Sequence, residues 1–481
     1  MEAVEEKMMM GQVQDHDVHV RLFELEDILI NVLSKLPVKM LLRFRCVCKR
    51  WRYLISDDPY LSQLHYSHQS KSKSEQSLLF HSLTVPDPTV WDPYLQSMDT
   101  KGNRISRFEF KFKQVIPTVL PTRFDMVCIN DGNKAVHICN PATHEVLTLP
   151  EPLRKAFVSF GYVHSTYEYK VVRLVPPDYG IGRNRFRVDE ATSFRTKCQV
   201  FTLGMKRKVS TTSSSSSSSS SWAWRDVMDS PYPVSYSSRP AFVNGAIHWL
   251  VNCGHMMDPN NTIIAFDVER EVFRLVPHPK GCPDPRSLKW GDLQLVELKG
   301  LLCLSCANHK LSKMDIWMFK DYHYESGNDR ISGTWVKEYS IDLNVLPCSY
   351  RKKSIFDYYV PRDIVEDTKV LIETHMKGLG YYHLQNKSFE GLMHSSEMPF
   401  QQFSFYLESL RSPKQTISPS GKPSVQNSGK NMDNPSGVES QAAKRLKLEE
   451  DHLRSCFNVF HAKQNSNSPS IGSDKVTFNI C

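Results

Sequence analysis

A recurring unit constrains this chain more than any other feature of it. Between Leu78 and Ser409 an apolar strand, a polar turn and a second strand opening on an aromatic or aliphatic residue return in one internal order. The unit reads VHICNPATHEVLTLP from Val136, IIAFDVEREVFRLVPHP from Ile263, DIWMFKDY from Asp315 leading into GTWVKEYSIDL, and YYHLQNKSFEGL from Tyr381, with CQVFTLGM from Cys198 after the first. Start points lie roughly 50 to 65 residues apart, the period of propeller blades, each a sheet of at most about four strands. The intervening runs of Val, Ile, Leu, Phe, Tyr and Trp, broken about every eight to twelve residues by Gly, Asn, Asp or Pro, read as antiparallel strands. About 330 residues hold six or seven blades. A large β-sandwich, or two, shows the same alternation, but recurrence in a fixed order favours radial repetition. With no Gly-Gly pair and no repeated Trp-Asp, such a propeller is degenerate.

The stretch Leu25 to Tyr60 is built to a different period. Leu25, Ile28, Leu29, Val32 and Leu33 fall at helical spacing, the stripe an amphipathic helix turns toward a core or a partner. Pro37 ends that helix and can open the next, because it lacks an amide donor and disfavours helix at the residue before it. From Lys39 to Ile55 the spacing predicts a second helix on Leu41, Phe44, Cys48, Trp51 and Ile55, ringed by Arg43, Arg45, Lys49, Arg50 and Arg52. Roughly forty residues cannot bury so wide an apolar stripe alone, so a neighbouring domain or a separate protein covers the excess.

The run VLSKLPVKMLLRFRCVCKRWRYLISDDP, from Val32 to Pro59, is similar to the F-box of plant proteins. The resemblance implies a three-helix module that docks on the Skp-type adaptor of a cullin-based SCF ubiquitin ligase. It assigns adaptor binding to Leu36, Pro37, Val38, Leu41, Leu42, Val47, Cys48 and Trp51. One departure stands at the start, where Glu24-Leu25 replaces the family's Leu-Pro and the first helix loses a preset beginning. Farther on, ICNPATHEVLTLP, SFGYVHSTYEYKVVRL, SWAWRDV, AFVNGAIHWLV and LVELKGLLCLSC look like successive landmarks of the plant F-box-associated domain, which implies a substrate-recruiting, kelch-like propeller. The expected fold is therefore mostly β with a small N-terminal all-α module. Its layout is a disordered tail over 1–20, an F-box over 21–66, a Ser- and Lys-rich linker over 67–77, the β-domain over 78–409 and a disordered tail over 410–481.

Composition agrees with a soluble chain: of 481 residues, 40% are hydrophobic and 23% charged. No apolar run approaches the roughly twenty residues of a membrane span, and the acidic N-terminus is no signal peptide, so nucleus or cytoplasm is the expected site. The twelve cysteines are then reduced thiols, and the Asn260 sequon is silent. A formal charge of +8 comes without the basic and aromatic interleaving of a nucleic-acid groove, so no nucleic-acid partner is expected. Two insertions interrupt the β-region: a Ser-rich loop over 206–221, expected to be disordered, and a charged loop over 176–195. Lys444, Arg445 and Lys447 in the tail resemble a short nuclear-import signal.

Catalytic signatures are missing from the linear sequence. Cys303, Cys306 and His309 have the spacing of half a zinc site, but four ligands are needed and no second pair exists, so no metal is expected. There is no His-Glu-x-x-His and no Gly-x-Ser-x-Gly. No cofactor is implied. Among the aromatics, Tyr358, Tyr359, Tyr381, Tyr382, Trp222 and Trp224 are mostly assigned to core, while Trp91 and Trp290, nearest to loops, are the candidate substrate contacts. The reading is a non-catalytic adaptor of a ubiquitin ligase, bound to a Skp-type adaptor, through it to a cullin, and to a protein target. The alternatives are a propeller receptor or enzyme whose helices merely pack internally, or a nuclear scaffold.

Overall fold

Blade by blade, chain order and sheet order coincide except at the point where the ring closes. The computed structural model describes residues 26–71, 77–87, 90–99, 104–109, 118–120, 125–131, 135–150, 156–166, 168–175, 196–203, 223–235, 238–251, 262–289, 291–308, 310–325, 330–351, 358–374, 377–394 and 400–414. The Ser-rich loop, the 176–195 loop, Trp222, Trp290, His309, the Glu24-Leu25 pair and both expected disordered tails, but for residues 410–414, lie outside these.

Six four-stranded antiparallel sheets follow one another. The first joins β1 (Ser77–Asp87), β2 (Val90–Met98) and β3 (Arg104–Glu109) to the last strand of the chain, β24 (Phe400–Tyr406). The second holds β4 (Thr118–Val119), β5 (Val127–Asn130), β6 (Val136–Asn140) and β7 (Glu145–Thr148), and the third β8 (Phe157–Val163), β9 (Glu168–Val175), β10 (Lys197–Leu203) and β11 (Arg225–Asp226). The fourth holds β12 (Ala241–Val243), β13 (Ala246–Leu250), β14 (Ile263–Asp267) and β15 (Val272–Val276). In the fifth are β16 (Leu293–Leu298), β17 (Leu301–Asn308), β18 (Lys313–Tyr324) and β19 (Ile331–Asp342), and in the sixth β20 (Tyr359–Val365), β21 (Lys369–Thr374), β22 (Gly378–His383) and β23 (Ser388–His394).

This is a six-bladed propeller closed by pairing its two ends: β1 runs antiparallel to β24, with Phe80 opposite Phe403. Each recurring unit of the sequence proves to be the third strand, turn and fourth strand of a blade. Val136, Cys198, Ile263, Asp315 and Tyr381 lie on β6, β10, β14, β18 and β22. The sixth such pair, β2 and β3, is also contiguous in the chain but was not singled out; only the first strand of its blade, β24, comes from the other chain end. The turns share a device: His144, Glu271 and Lys387, each just before its fourth strand, have φ of 59°, 58° and 52°, as in a type I turn followed by a left-handed residue. In two of them the turn opens on an Asx side chain, Asn140 accepting from the Ala142 amide and Asp267 from the amides of Glu269 and Arg270.

Both faces of the sheets are buried, because each blade is flanked by two others. One apolar cluster fills each blade-to-blade gap: Val172, Ile247 and Phe266 between the third and fourth blades, Leu250, Leu304 and Phe319 between the fourth and fifth, Leu78, Phe403 and Leu379 between the sixth and first. Gly161 marks how close the third and fourth approach, since a Cβ there would stand 2.8 Å from Val268 Cγ1.

The N-terminal module has four helices rather than three: α1 over residues 26–33, α2 (Val38–Phe44), α3 (Lys49–Asp57) and α4 (Pro59–Lys71). The single helix expected over Lys39–Ile55 is broken at 45–48, where Cys48 turns extended and its sulfur caps the Trp51 amide at 3.4 Å. The apolar spacing survives the break, which is why periodicity alone did not show it. The linker expected from residue 67 starts later, because α4 continues to Lys71. Its start is well specified: the Asp58 carboxylate accepts from the Leu61 amide at 2.8 Å with Pro59 at the first helical position. Its buried face is the short row Leu61, Ser62 and His65, too polar to read as a stripe. Among the described residues no helix is long and apolar enough to cross a membrane.

A strap of chain after β24 binds module to propeller. Leu410 packs into the helical core with Leu33, Leu54 and Leu61. Arg411 is 2% exposed; its Nη1 donates to the Tyr169 hydroxyl at 3.2 Å and lies 3.6 Å from the Asp125 carboxylate. Its guanidinium also faces the rings of Tyr66 of α4, Tyr162 and Tyr169 at 4.7, 5.3 and 5.0 Å. Ser409 donates to Asp125 at 2.6 Å, and Asn140 donates to the carbonyls of Ser409 and Arg411 at 2.9 and 2.8 Å. The expected domain end at 409 thus falls two residues short of the residue that fastens it.

Candidate functional site

Two surfaces carry chemistry beyond the core: the free side of the helical module and the channel down the propeller axis.

On the module, sequence pattern and burial part company in an informative way. Val38 and Leu41 are 1% and 0% exposed, and Trp51 is buried with its ring 5.5 Å from Phe44 in an edge-on contact. Assigning Val38 and Leu41 to the adaptor is therefore corrected: they hold α1, α2 and α3 together and have no surface to offer. Of the other assigned residues, Pro37 and Cys48 are exposed, and Leu36, Leu42 and Val47 are half-buried. The structure adds Ile28 and Val32 on α1, 61% and 41% exposed, and Tyr53 on α3. The helical stripe of the first helix is thus two rows: Leu29, Ile30 and Leu33 face inward, Ile28 and Val32 outward. Around this apolar face stand exposed Arg43, Arg45, Lys49, Arg50 and Arg52, with Arg50 paired to Glu26 of α1. The corner at Leu36 is fixed from behind, where buried His65 donates from Nε2 to the Leu36 carbonyl at 3.0 Å. Burial pushes the His65 pKa down, with that hydrogen bond opposing.

The channel is a cavity of about 470 Å³ walled by first strands of the blades: β12, β16, β20 and β24, with His164 after β8. Its rim at the hairpin turns is exposed at His164, Asn244 and Gly300. Charge enters through strands otherwise apolar. Arg362 of β20 donates from Nε to Glu373 of β21 at 2.6 Å, and Glu373 is fully buried. Arg239, just before β12, is hydrogen-bonded to the Tyr358 hydroxyl and stands close enough to affect both Arg362 and His81. Burial, together with that Arg239 charge, pushes the His81 pKa down to about 4, so the ring is neutral. Arg362 is likewise held below its ordinary value by burial, Glu373 opposing and Arg239 adding. The remaining carboxylate of the lining, Glu297, accepts from the Gly300 amide at 2.6 Å.

None of these channel residues was singled out from the sequence. The available signal was a charged residue inside a strand buried on both faces, Arg362 in YVPRDIV and Glu373 in KVLIET. Of the aromatic candidates, Trp91 lies on β2 with its side chain outside the described residues, as is all of Trp290. Tyr358, Tyr359 and Tyr382 are core. Cys303 and Cys306, three apart on β17, face opposite sides of the sheet, one into the gap toward the sixth blade and one toward the fourth, so they cannot share an ion.

Comparison with known proteins fits this anatomy. Residues 73–326 match the F-box associated beta propeller domain family and residues 26–66 the F-box-like family. Among curated relatives, F-box protein At3g07870 of Arabidopsis thaliana is 28% identical over 333 residues, covering 66% of this chain and 72% of that one. F-box protein CPR1 of the same plant is 23% identical over 387 residues, covering 76% and 83%. F-box protein At1g52495, also from Arabidopsis thaliana, is 25% identical over 333 residues, covering 63% and 66%. This chain belongs to the plant F-box proteins that carry an F-box associated β-propeller domain.

Proposed function

We propose that the chain is the substrate-recognition subunit of an SCF-type ubiquitin ligase, with the helical module held by a Skp-type adaptor and cullin and the propeller capturing the protein to be ubiquitinated, for degradation by the proteasome. The observation that carries the reading is the division of the module's surface: one side is fastened to the propeller through Leu410 and Tyr66, while Ile28, Val32, Pro37 and Cys48 stay uncovered on the other. An uncovered apolar row on a small module is what a partner protein occupies. The mechanism is proximity: a target held beside the charged enzyme reacts at raised effective concentration, and this chain supplies no nucleophile. The strap favours this, because a fixed module-to-propeller geometry keeps that distance constant.

Co-purification with adaptor and cullin tests the reading. The double substitution Leu36→Ala, Pro37→Ala abolishes it, and Ile28→Glu, which touches no core contact, weakens it at least tenfold. Failure of the unaltered chain to bind any adaptor sinks the proposal. Action in the nucleus, drawn from Lys444, Arg445 and Lys447, is tested by deleting residues 442–450 and following where the chain accumulates.

A further inference from the structure

The channel brings together two guanidinium groups, Arg239 and Arg362, and two carboxylates, Glu373 and Glu297. Glu373 is engaged by Arg362, while Arg239 Nη1 is buried with no hydrogen-bond partner. The neighbour that could share the load, His81, carries no charge to help and none to repel. A buried donor left without an acceptor is destabilising. The hydrogen bond to the Tyr358 hydroxyl answers only part of the Arg239 donor set and leaves the buried Nη1 without an acceptor. The cavity beside it is large enough for a ligand and opens at an exposed rim.

We propose that the channel is an anion-binding subsite in which Arg239, with Arg362 beside it, receives a carboxylate or phosphoryl group presented on an extended segment of the target protein. A guanidinium binds either group through paired N–H donors, and the incoming anion supplies the acceptor that the Arg239 Nη1 lacks. Glu297 does not compete, since it is turned to the Gly300 amide at the hairpin end. The target assignment rests on the substrate-recruiting reading above; the anion subsite does not.

The test uses the full chain with its adaptor, at constant ionic strength. Inorganic phosphate replacing chloride raises the unfolding temperature of the unaltered chain in a saturable way. Arg239→Gln weakens phosphate binding at least tenfold, yet in chloride unfolds no lower than the unaltered chain. An unaltered chain that does not distinguish phosphate from chloride, or a variant that keeps the full response, overturns the subsite. A variant that unfolds well below the unaltered chain in chloride assigns Arg239 a structural role and overturns it equally. Heptapeptides carrying one glutamate or one phosphoserine among glycines then compete with phosphate, and the serine version does not. If phosphate binds and neither anionic peptide competes, the occupant is a free anion and the target assignment falls. Adaptor capture measured on the same preparations separates the two claims: anion binding without adaptor binding removes the ligase reading and leaves the subsite standing.

Discussion

Two arginines inside the same propeller, Arg411 buried and Arg239 half-buried, have opposite surroundings. Arg411 in the strap faces Asp125, the Tyr169 hydroxyl and three aromatic rings. Arg239 at the channel stands beside Arg362, which alone engages Glu373, and leaves a buried N–H without a partner. Desolvation disfavours the Arg411 charge, and Asp125 and the aromatic rings answer it from within the chain. The difference teaches where this fold spends stability on holding two domains together and where it leaves charge open to something outside.

The largest break in that comparison comes at Arg411. Arg411→Met leaves Asp125, fully buried, with the Ser409 and Tyr169 hydroxyls but no cation. Removing one partner of a buried pair costs about 3–5 kcal/mol. Denaturant unfolding followed by two probes, one in α4 and one in the sixth blade, reports the fall and a separation of the two transitions. Adding Asp125→Asn recovers part of the loss, and the cycle gives the coupling. Coincident transitions and a loss under about 1 kcal/mol contradict the strap as the fastening.

Acid provides the next largest effect, through histidines buried in the propeller. His81 and His248 are buried with pKa values pushed down to about 4 from 6.5, in each case chiefly by burial, with Arg239 adding at His81 and hydrogen bonds to backbone opposing at His248. Because the unfolded chain binds protons more readily, this stability is complete above about pH 6.5 and is lost as pH falls toward 4. Each histidine contributes on the order of 3 kcal/mol across that window. His248→Gln flattens the profile of unfolding free energy against pH; an unchanged slope between pH 6.5 and 4 refutes the assignment.

How much of this could be read beforehand divides along the same line. The blades were legible because the third and fourth strands repeat with their turn, and the F-box because its Leu36-to-Trp51 run is dense. Four elements were not legible, each for a physical reason. The break at Cys48 preserves helical spacing. α4 buries Ser62 and His65 in place of an apolar row. The closing blade pairs residues more than three hundred positions apart. Arg239 and Arg362 meet only because the first strands of separate blades line one axis, a proximity that no spacing in the chain encodes.

Arg239→Gln sharpens the contrast from the other side: measured in chloride, its expected change is within about 0.5 kcal/mol of zero or a gain, against a loss of several at Arg411. The smallest effect tests what the strap arginine is answered by. Tyr66→Phe keeps the ring 4.7 Å beneath the Arg411 guanidinium and removes only the hydroxyl, so the expected loss is below about 0.5 kcal/mol, whereas Tyr66→Ala, which removes the ring, costs at least about 1 kcal/mol more. A phenylalanine variant as unstable as the alanine one assigns the contact to the hydroxyl and leaves the cation resting on Asp125, the Tyr169 hydroxyl and the rings of Tyr162 and Tyr169.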